Sequence, residues 1–207
     1  MPSLPRVAFA LLTFFAIAWQ LKLHIDASAD VVNFFSYFTN LSNLLAASML
    51  VVAALPVVRG PAIDLLRGIA VVAIALVGLV FGALLRDADL GALLPWINAE
   101  LHYLMPCVVV LDWLLDPPRS RLGGRQLLIA LAFPTLYLAY VLVRGVATGW
   151  YPYPFLDPAK VAGYGGVAAY AIGIAIAFVL VGWALFAIAN RLRTRRTSRD
   201  SAQSAHH

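Results

Sequence analysis

The sequence predicts an all-α membrane protein, a bundle of six transmembrane helices with both ends in the cytoplasm. Three observations carry that expectation. Of 207 residues, 62% are hydrophobic and only 12% charged, and the mean hydropathy is +0.86, whereas a soluble domain carries about 25% charged residues. A chain this apolar cannot solvate a surface in water, so its solvent is lipid. Six stretches reach or approach the roughly 20 apolar residues that cross a hydrocarbon core. Finally, the basic residues fall mostly on alternate connections, as topology signals do.

The first stretch covers residues 6–24. Arg6, the apolar run from Val7 to Trp19 and Ala27-Ser28-Ala29 imitate a cleavable signal peptide. Lys22 and His24 lie too close to that site, and the run is long enough to span, so it reads as the first helix. The second stretch covers 32–56 and ends at Pro56 and Gly60-Pro61; the third covers 62–85 and ends at Asp87 to Asp89. Gly78 and Gly82 make a small-xxx-small pair in the third, suited to close helix packing. The fourth covers 95–115, closed by Pro117-Pro118; the fifth covers 126–146, and the sixth 165–189. Residues 1–190 thus form one six-span domain, and 191–207 a basic polar tail, expected to be disordered and cytoplasmic, in which His206 and His207 resemble an expression remnant. No gap is long enough for a soluble domain, so any chemistry lies within the bundle or at its edge.

Orientation follows from the cations. One set of connections holds Arg6, Arg59, Arg67, Arg119, Arg121, Arg125 and five arginines from Arg191 to Arg199, eleven in all; the other holds Lys22, Arg86, Arg144 and Lys160. Positive residues stay inside, which places both ends in the cytoplasm. The net charge of +5 is clustered between apolar runs and is not striped with aromatics, which argues against nucleic acid as a partner. Arginine outnumbers lysine thirteen to two, an association with GC-rich bacterial genomes that suggests a bacterial inner membrane. Cys107 is the lone cysteine, so internal disulfides and Cys-based zinc sites are excluded.

Polar residues at membrane depth are costly and turn toward the bundle interior. In a helix starting near residue 32, Ser36, Thr39, Asn40 and Asn43 share an arc of about 100°. In the fourth stretch Asn98, His102 and Asp112 share a comparable face. Both stretches run from outside to inside. Thr39 and His102 lie about seven residues into theirs, roughly 10 Å below the outer surface, so a hydroxyl and an imidazole are expected at matching depth. Asp112, about 15 Å further along the axis, is too far to orient that ring. The Trp150-Tyr151-Pro152-Tyr153-Pro154-Phe155 segment cannot continue a helix through its prolines. Trp150, Tyr151 and Tyr153 suit the interface belt and are placed to cover the outer mouth of a pocket. Arg144, at the same edge, suits a carboxylate or a snorkelling role.

Three blocks carry a family resemblance: Phe35-Ser36-Tyr37-Phe38-Thr39 with Ser42-Asn43-Leu44-Leu45; Leu101-His102-Tyr103 with Pro106 and Leu111-Asp112-Trp113-Leu114-Leu115; and Gly149 to Asp157 with Gly163-Tyr164-Gly165. Together they resemble a bacterial family of six-span membrane proteins distantly related to the eukaryotic androgen-induced and androgen-dependent membrane proteins. Those are threonine hydrolases of fatty-acid esters of hydroxy fatty acids. The resemblance implies a nucleophile at Thr39 and an essential histidine at His102, flanked by Asn98 four residues before and Pro106 four after.

The expected function is therefore hydrolysis of lipid-like esters from the outer leaflet side. Thr39 would be the nucleophile and His102 the base. Ser36, Asn40, Asn43 and Asn98 are the candidates for oxyanion or pocket contacts. A non-catalytic lipid-binding or transport role is the alternative, although no inverted repeat or pair of broken spans marks a transporter. Ligation of one haem by His24 and His102 is the weakest reading, since six-span haem proteins use more histidine pairs. No cofactor and no metal is expected, and the partners are membrane lipids and the ester itself.

Overall fold

The computed structural model describes residues 2–55, 57–87 and 93–204, with side chains through residue 195. Pro56, Asp89, His206 and His207, singled out above, lie outside the described residues. Among those described, the chain is all α-helical. In order, α1 spans Ser3–Asp26, α2 Val31–Phe35, α3 Phe38–Ala54 and α4 Pro61–Val80, the last continued by a π turn at Phe81–Leu85. The fourth stretch is one helical run in three parts: α5 (Pro95–Ala99), a π turn at Glu100–Leu104, and α6 (Met105–Leu115). Then come α7 (Gly124–Thr148), a 3₁₀ turn at Pro154–Leu156, and α8 (Gly163–Ser204). The helices Ser3–Asp26, Pro61–Leu85, Gly124–Thr148 and Gly163–Arg195 are long and apolar enough to cross a membrane, which makes this an integral membrane protein.

Three elements depart from the sequence reading. The second stretch is not one helix. Asp30 caps α2 by accepting from the Val32 amide at 2.8 Å, and Ser36 then turns its hydroxyl back onto the Val32 carbonyl at 2.7 Å. Tyr37 is extended and α3 begins at Phe38, so Ser36 lies outside the helix that carries Thr39, Asn40 and Asn43. The segment after Trp150 is not wholly irregular either, because Pro154 opens a 3₁₀ turn, where a missing N–H costs nothing. Finally, α8 runs past the sixth stretch as helix to Ser204.

The fourth helical run widens for a local reason. Pro106 has no N–H to give the carbonyl of His102, and a proline ring crowds the carbonyl four residues back. The π turn at Glu100–Leu104 relieves that crowding and rotates His102 into the bundle. Pro106 also packs on α4, where a Cβ placed on Gly78 would lie 3.2 Å from the Pro106 Cβ and 3.4 Å from the His102 carbonyl oxygen. Gly78 therefore fills the close-packing role that its motif suggests. A Cβ on Gly82 would meet nothing within 4 Å, so the second glycine of the pair does not share that role.

The core is centred on α4, whose residues from Ala70 to Ile74 are at most 1% exposed. The outer faces of α7 and α8 remain apolar, with Leu128, Val143 and Trp183 each more than 60% exposed. Such a surface suits hydrocarbon and not water.

The two ends of the bundle differ in chemistry. At one end a buried ion-pair cluster joins three helices. Arg6 donates through Nε to Asp112 at 2.7 Å and through Nη2 to Asp116 at 2.7 Å, and Arg67 donates to Asp112 at 3.2 Å. Arg6 also donates to the Ala53 carbonyl at the end of α3. Ser120 donates its amide to Asp64, and Asn190 of α8 pairs with the backbone of Leu122. At the other end Arg144 donates to Asp30 at 3.1 Å, and its guanidinium lies over the Trp150 ring at 5.2 Å. Asp112 thus belongs to the ion-pair end, clear of the His102 ring as its position along the helix requires.

Candidate active site

The break before α3 determines what Thr39 presents. As the second residue of α3, it has a backbone N–H with no intrahelical acceptor, as all first-turn amides do. Its hydroxyl faces the interior, where His102 arrives from the π turn of the fourth run. Thr39 Oγ1 and His102 Nε2 are 3.4 Å apart. Tyr153 reaches in from the loop after α7, and its hydroxyl lies 3.3 Å from Thr39 Oγ1 and 3.3 Å from the Thr39 amide nitrogen. All three residues are less than 9% exposed.

The proton directions in this cluster can be worked out. His102 Nδ1 lies 3.2 Å from the Asn98 carbonyl, which only accepts, so in the neutral ring Nδ1 carries the hydrogen. Nε2 is then an acceptor, and the Thr39 hydroxyl donates to it. With its own hydrogen directed at His102, Thr39 Oγ1 accepts from the Tyr153 hydroxyl, which itself accepts the Thr39 N–H. These contacts are longer than the 2.6–3.2 Å of a tight hydrogen-bonded pair. Burial pushes the Tyr153 phenol above its ordinary pKa, outweighing the lowering by its hydrogen bonds with Thr39, so it stays a donor at neutral pH.

Packing fixes both rings. The Phe81 ring, in the π turn after α4, stacks on His102 with centroids 4.0 Å apart and planes at 25°. Tyr153 stacks on Phe155 at 5.1 Å and meets Tyr37 edge-on at 5.7 Å. The tight loop is possible because Gly149 ends α7 at φ +71°. Gly145 leaves room for Tyr151, where an added Cβ would fall 2.0 Å from the ring.

Thr39, His102 and Tyr153 line a cavity of about 120 Å³. Its other walls are largely apolar, including Leu76, Val77, Phe81, Leu85, Leu138, Leu156 and Ile174. Pro134, inside α7, also lines it.

The remaining sequence candidates have other partners. Asn40 donates its amide to the Phe34 carbonyl at 2.7 Å, and Asn43 donates to the carbonyls of Thr39 at 2.9 Å and Leu101 at 3.2 Å. Neither is among the residues lining the cavity, and both amides bond backbone carbonyls. Ser36 bonds Val32 and Tyr140, and Asn98 serves His102 through its carbonyl. Of the loop aromatics, Trp150 packs edge-on against Tyr37 at 5.7 Å and Tyr151 fills the Gly145 notch; Tyr153 goes deeper than a mouth residue and reaches Thr39. His24 bonds the Asp30 carbonyl and packs on Phe34, whereas His102 bonds Asn98 and stacks on Phe81.

Sequence reasoning missed the placement of Tyr153 and the stacking of Phe81. The paired prolines around Tyr153 were the available signal, since they bend the loop back over the bundle.

Among known proteins, the family described as FAR-17a/AIG1-like protein matches residues 79–191, more than half of the chain. The match includes His102 and Tyr153, and Thr39 precedes it. No curated protein and no solved structure matches the chain.

Proposed function

We propose that this chain, which belongs to the FAR-17a/AIG1-like protein family, is an intramembrane hydrolase of lipid-like esters, of the fatty-acid ester of hydroxy fatty acid type. The observation that carries the proposal is the 3.4 Å approach of Thr39 Oγ1 to His102 Nε2 at the wall of an apolar cavity. A hydroxyl directed at a neutral imidazole is the arrangement that activates a nucleophile through its base, which supports the reading.

In the forward step Thr39 Oγ attacks the ester carbonyl carbon and its proton passes to His102 Nε2. The tetrahedral adduct collapses, the bond to the alkoxy group breaks, and His102 returns the proton to the departing alcohol oxygen. Water then attacks the acyl-threonine with His102 again taking the proton. Collapse releases the acid and restores the Thr39 hydroxyl. The apolar walls suit the acyl chains, and the Phe81 ring holds the imidazole in plane.

In this reading the six helical runs are six spans, with the ion-pair end and both chain ends cytoplasmic and the site toward the outer leaflet of a bacterial plasma membrane. The substrate reaches the site from surrounding lipid, and water from the outer face.

Hydrolysis of a fatty-acid ester of a hydroxy fatty acid by the detergent-purified protein is the test. Thr39→Ala is expected to abolish it, and His102→Ala to lower kcat by about 10²- to 10⁴-fold. Activity that survives Thr39→Ala would refute the proposal and leave a lipid-binding or transport role for the cavity.

A further inference from the structure

The reaction proposed above needs donors for the oxyanion, and Asn40 and Asn43 lie off the cavity wall with their amides bonded to backbone carbonyls. The side-chain donors on the cavity wall, among the described residues, are few. Thr135 gives its hydroxyl proton to the Leu131 carbonyl at 2.8 Å, and Tyr137 gives its own to the Ser36 carbonyl at 2.8 Å. Thr39 is the nucleophile and its proton goes to His102. That leaves Tyr153, whose hydroxyl is aimed at the reacting oxygen and not at a carbonyl. A second donor lies beside it, the Thr39 N–H, which reaches only the Tyr153 oxygen at 3.3 Å.

We infer that Tyr153 is a catalytic residue, and that its hydroxyl and the Thr39 backbone N–H together form the oxyanion hole of this site. The inference rests on the hydrolase reading above. As Thr39 Oγ bonds to the carbonyl carbon, the carbonyl π pair moves onto oxygen and the Thr39 proton moves to His102. Tyr153 keeps its own proton throughout. In the resting site the Thr39 N–H donates to the Tyr153 oxygen and the Tyr153 hydroxyl donates to Thr39 Oγ1. Once Oγ1 is bonded to carbon, both turn to the new oxyanion, which lies next to the nucleophile and so next to the nucleophile's own N–H. The first-turn position of that N–H adds the positive end of the α3 dipole. Edge and face contacts with Tyr37 and Phe155 hold the phenol in place before substrate arrives, as electrostatic stabilisation of this kind requires.

The geometry also explains why the loop enters the bundle. A mouth cover needs only aromatic bulk, yet Tyr153 places its hydroxyl against Thr39 and is 8% exposed.

The experiment uses the full chain in detergent micelles and two probes. One is a long-chain trifluoromethyl ketone, whose adduct with Thr39 carries the oxyanion and is read by fluorine NMR without turnover. The other is the matching long-chain alcohol, which fills the cavity without forming an adduct. Tyr153→Phe keeps the ring and its stacking. It is expected to weaken ketone binding about 10²- to 10³-fold, the range for loss of one oxyanion donor, and to leave alcohol binding within about threefold. A fall in kcat of the same size with little change in KM is expected for ester hydrolysis. Ketone binding unchanged in Tyr153→Phe, or equal losses for ketone and alcohol, would overturn the inference while Thr39→Ala still abolishes the adduct. An adduct that forms in Thr39→Ala, or none in the wild type, would overturn the hydrolase reading beneath it.

Discussion

Gly78, His102 and Pro106 show how single atoms set the site. The His102 carbonyl loses its helical donor to Pro106 and settles against the bare α-carbon of Gly78, so the imidazole's position depends on a hydrogen that is not a methyl. In Gly78→Ala the new Cβ would lie 3.2 Å from the Pro106 Cβ, tighter than ordinary contact, and the π turn must shift by tenths of an ångström. We predict a loss in kcat on the order of tenfold, since small misplacements of catalytic groups are costly, with the variant still folded by circular dichroism. Gly82→Ala serves as the control and should retain wild-type rates. At this scale Thr39 and His102 were legible from matching depth on two inward faces. The bonds of Asn40 to Phe34 and of Asn43 to Leu101 were not legible, because a helical projection does not show which carbonyls a broken helix leaves unpaired. Tyr153 was misread because no periodicity sets the register of a proline-bent loop against a helix 114 positions away.

The elements are held in register by polar contacts that hydropathy alone cannot reveal. Five of the six apolar stretches appear within about three residues of their expected limits, since length and apolarity are read directly from sequence, while α8 runs past residue 189 to Ser204. The internal breaks are different. The stop at Ser36 arises from a side chain bonding back to Val32, and the π turn at Glu100–Leu104 from a proline that lies beyond it. Arg6 and Arg67, counted as topology signals, are instead buried partners of Asp112 and Asp116, and they tie α1 and α4 to the end of α6. Burial raises the Asp116 pKa, but the hydrogen bond from Arg6 and the charges of Arg67, Arg6 and Arg59 outweigh it and hold the carboxyl below its ordinary 3.8. A carboxyl whose folded value is depressed contributes stability that is present above its unfolded value and lost as pH falls through the folded one. Thermal stability in detergent should therefore fall below about pH 4, and the fall should be shallower in Asp116→Asn. At neutral pH Arg6→Leu should cost on the order of 3 kcal/mol by leaving buried carboxylate charge without its partner.

At the scale of the whole molecule, two ends with different chemistry stand on either side of an apolar bundle. The ion-pair end also carries Arg119 and the α8 extension; the other carries the Asp30–Arg144 pair and the candidate site. Only part of the arginine excess that set the orientation is solvent-facing, so orientation merits its own test. In a Cys107→Ala background, a membrane-impermeant maleimide should label Ala159→Cys in intact cells and Arg119→Cys only after permeabilisation, and the reverse pattern would invert the topology. The central claim is that Thr39 is a nucleophile activated by His102. The most direct measurement treats the purified protein with a long-chain fluorophosphonate and maps the adduct by mass spectrometry, alongside Thr39→Ala and His102→Ala. The account predicts one adduct, on the peptide containing Thr39, absent in Thr39→Ala and greatly slowed in His102→Ala. Folded protein that takes up no label, or label that persists in Thr39→Ala, would contradict it.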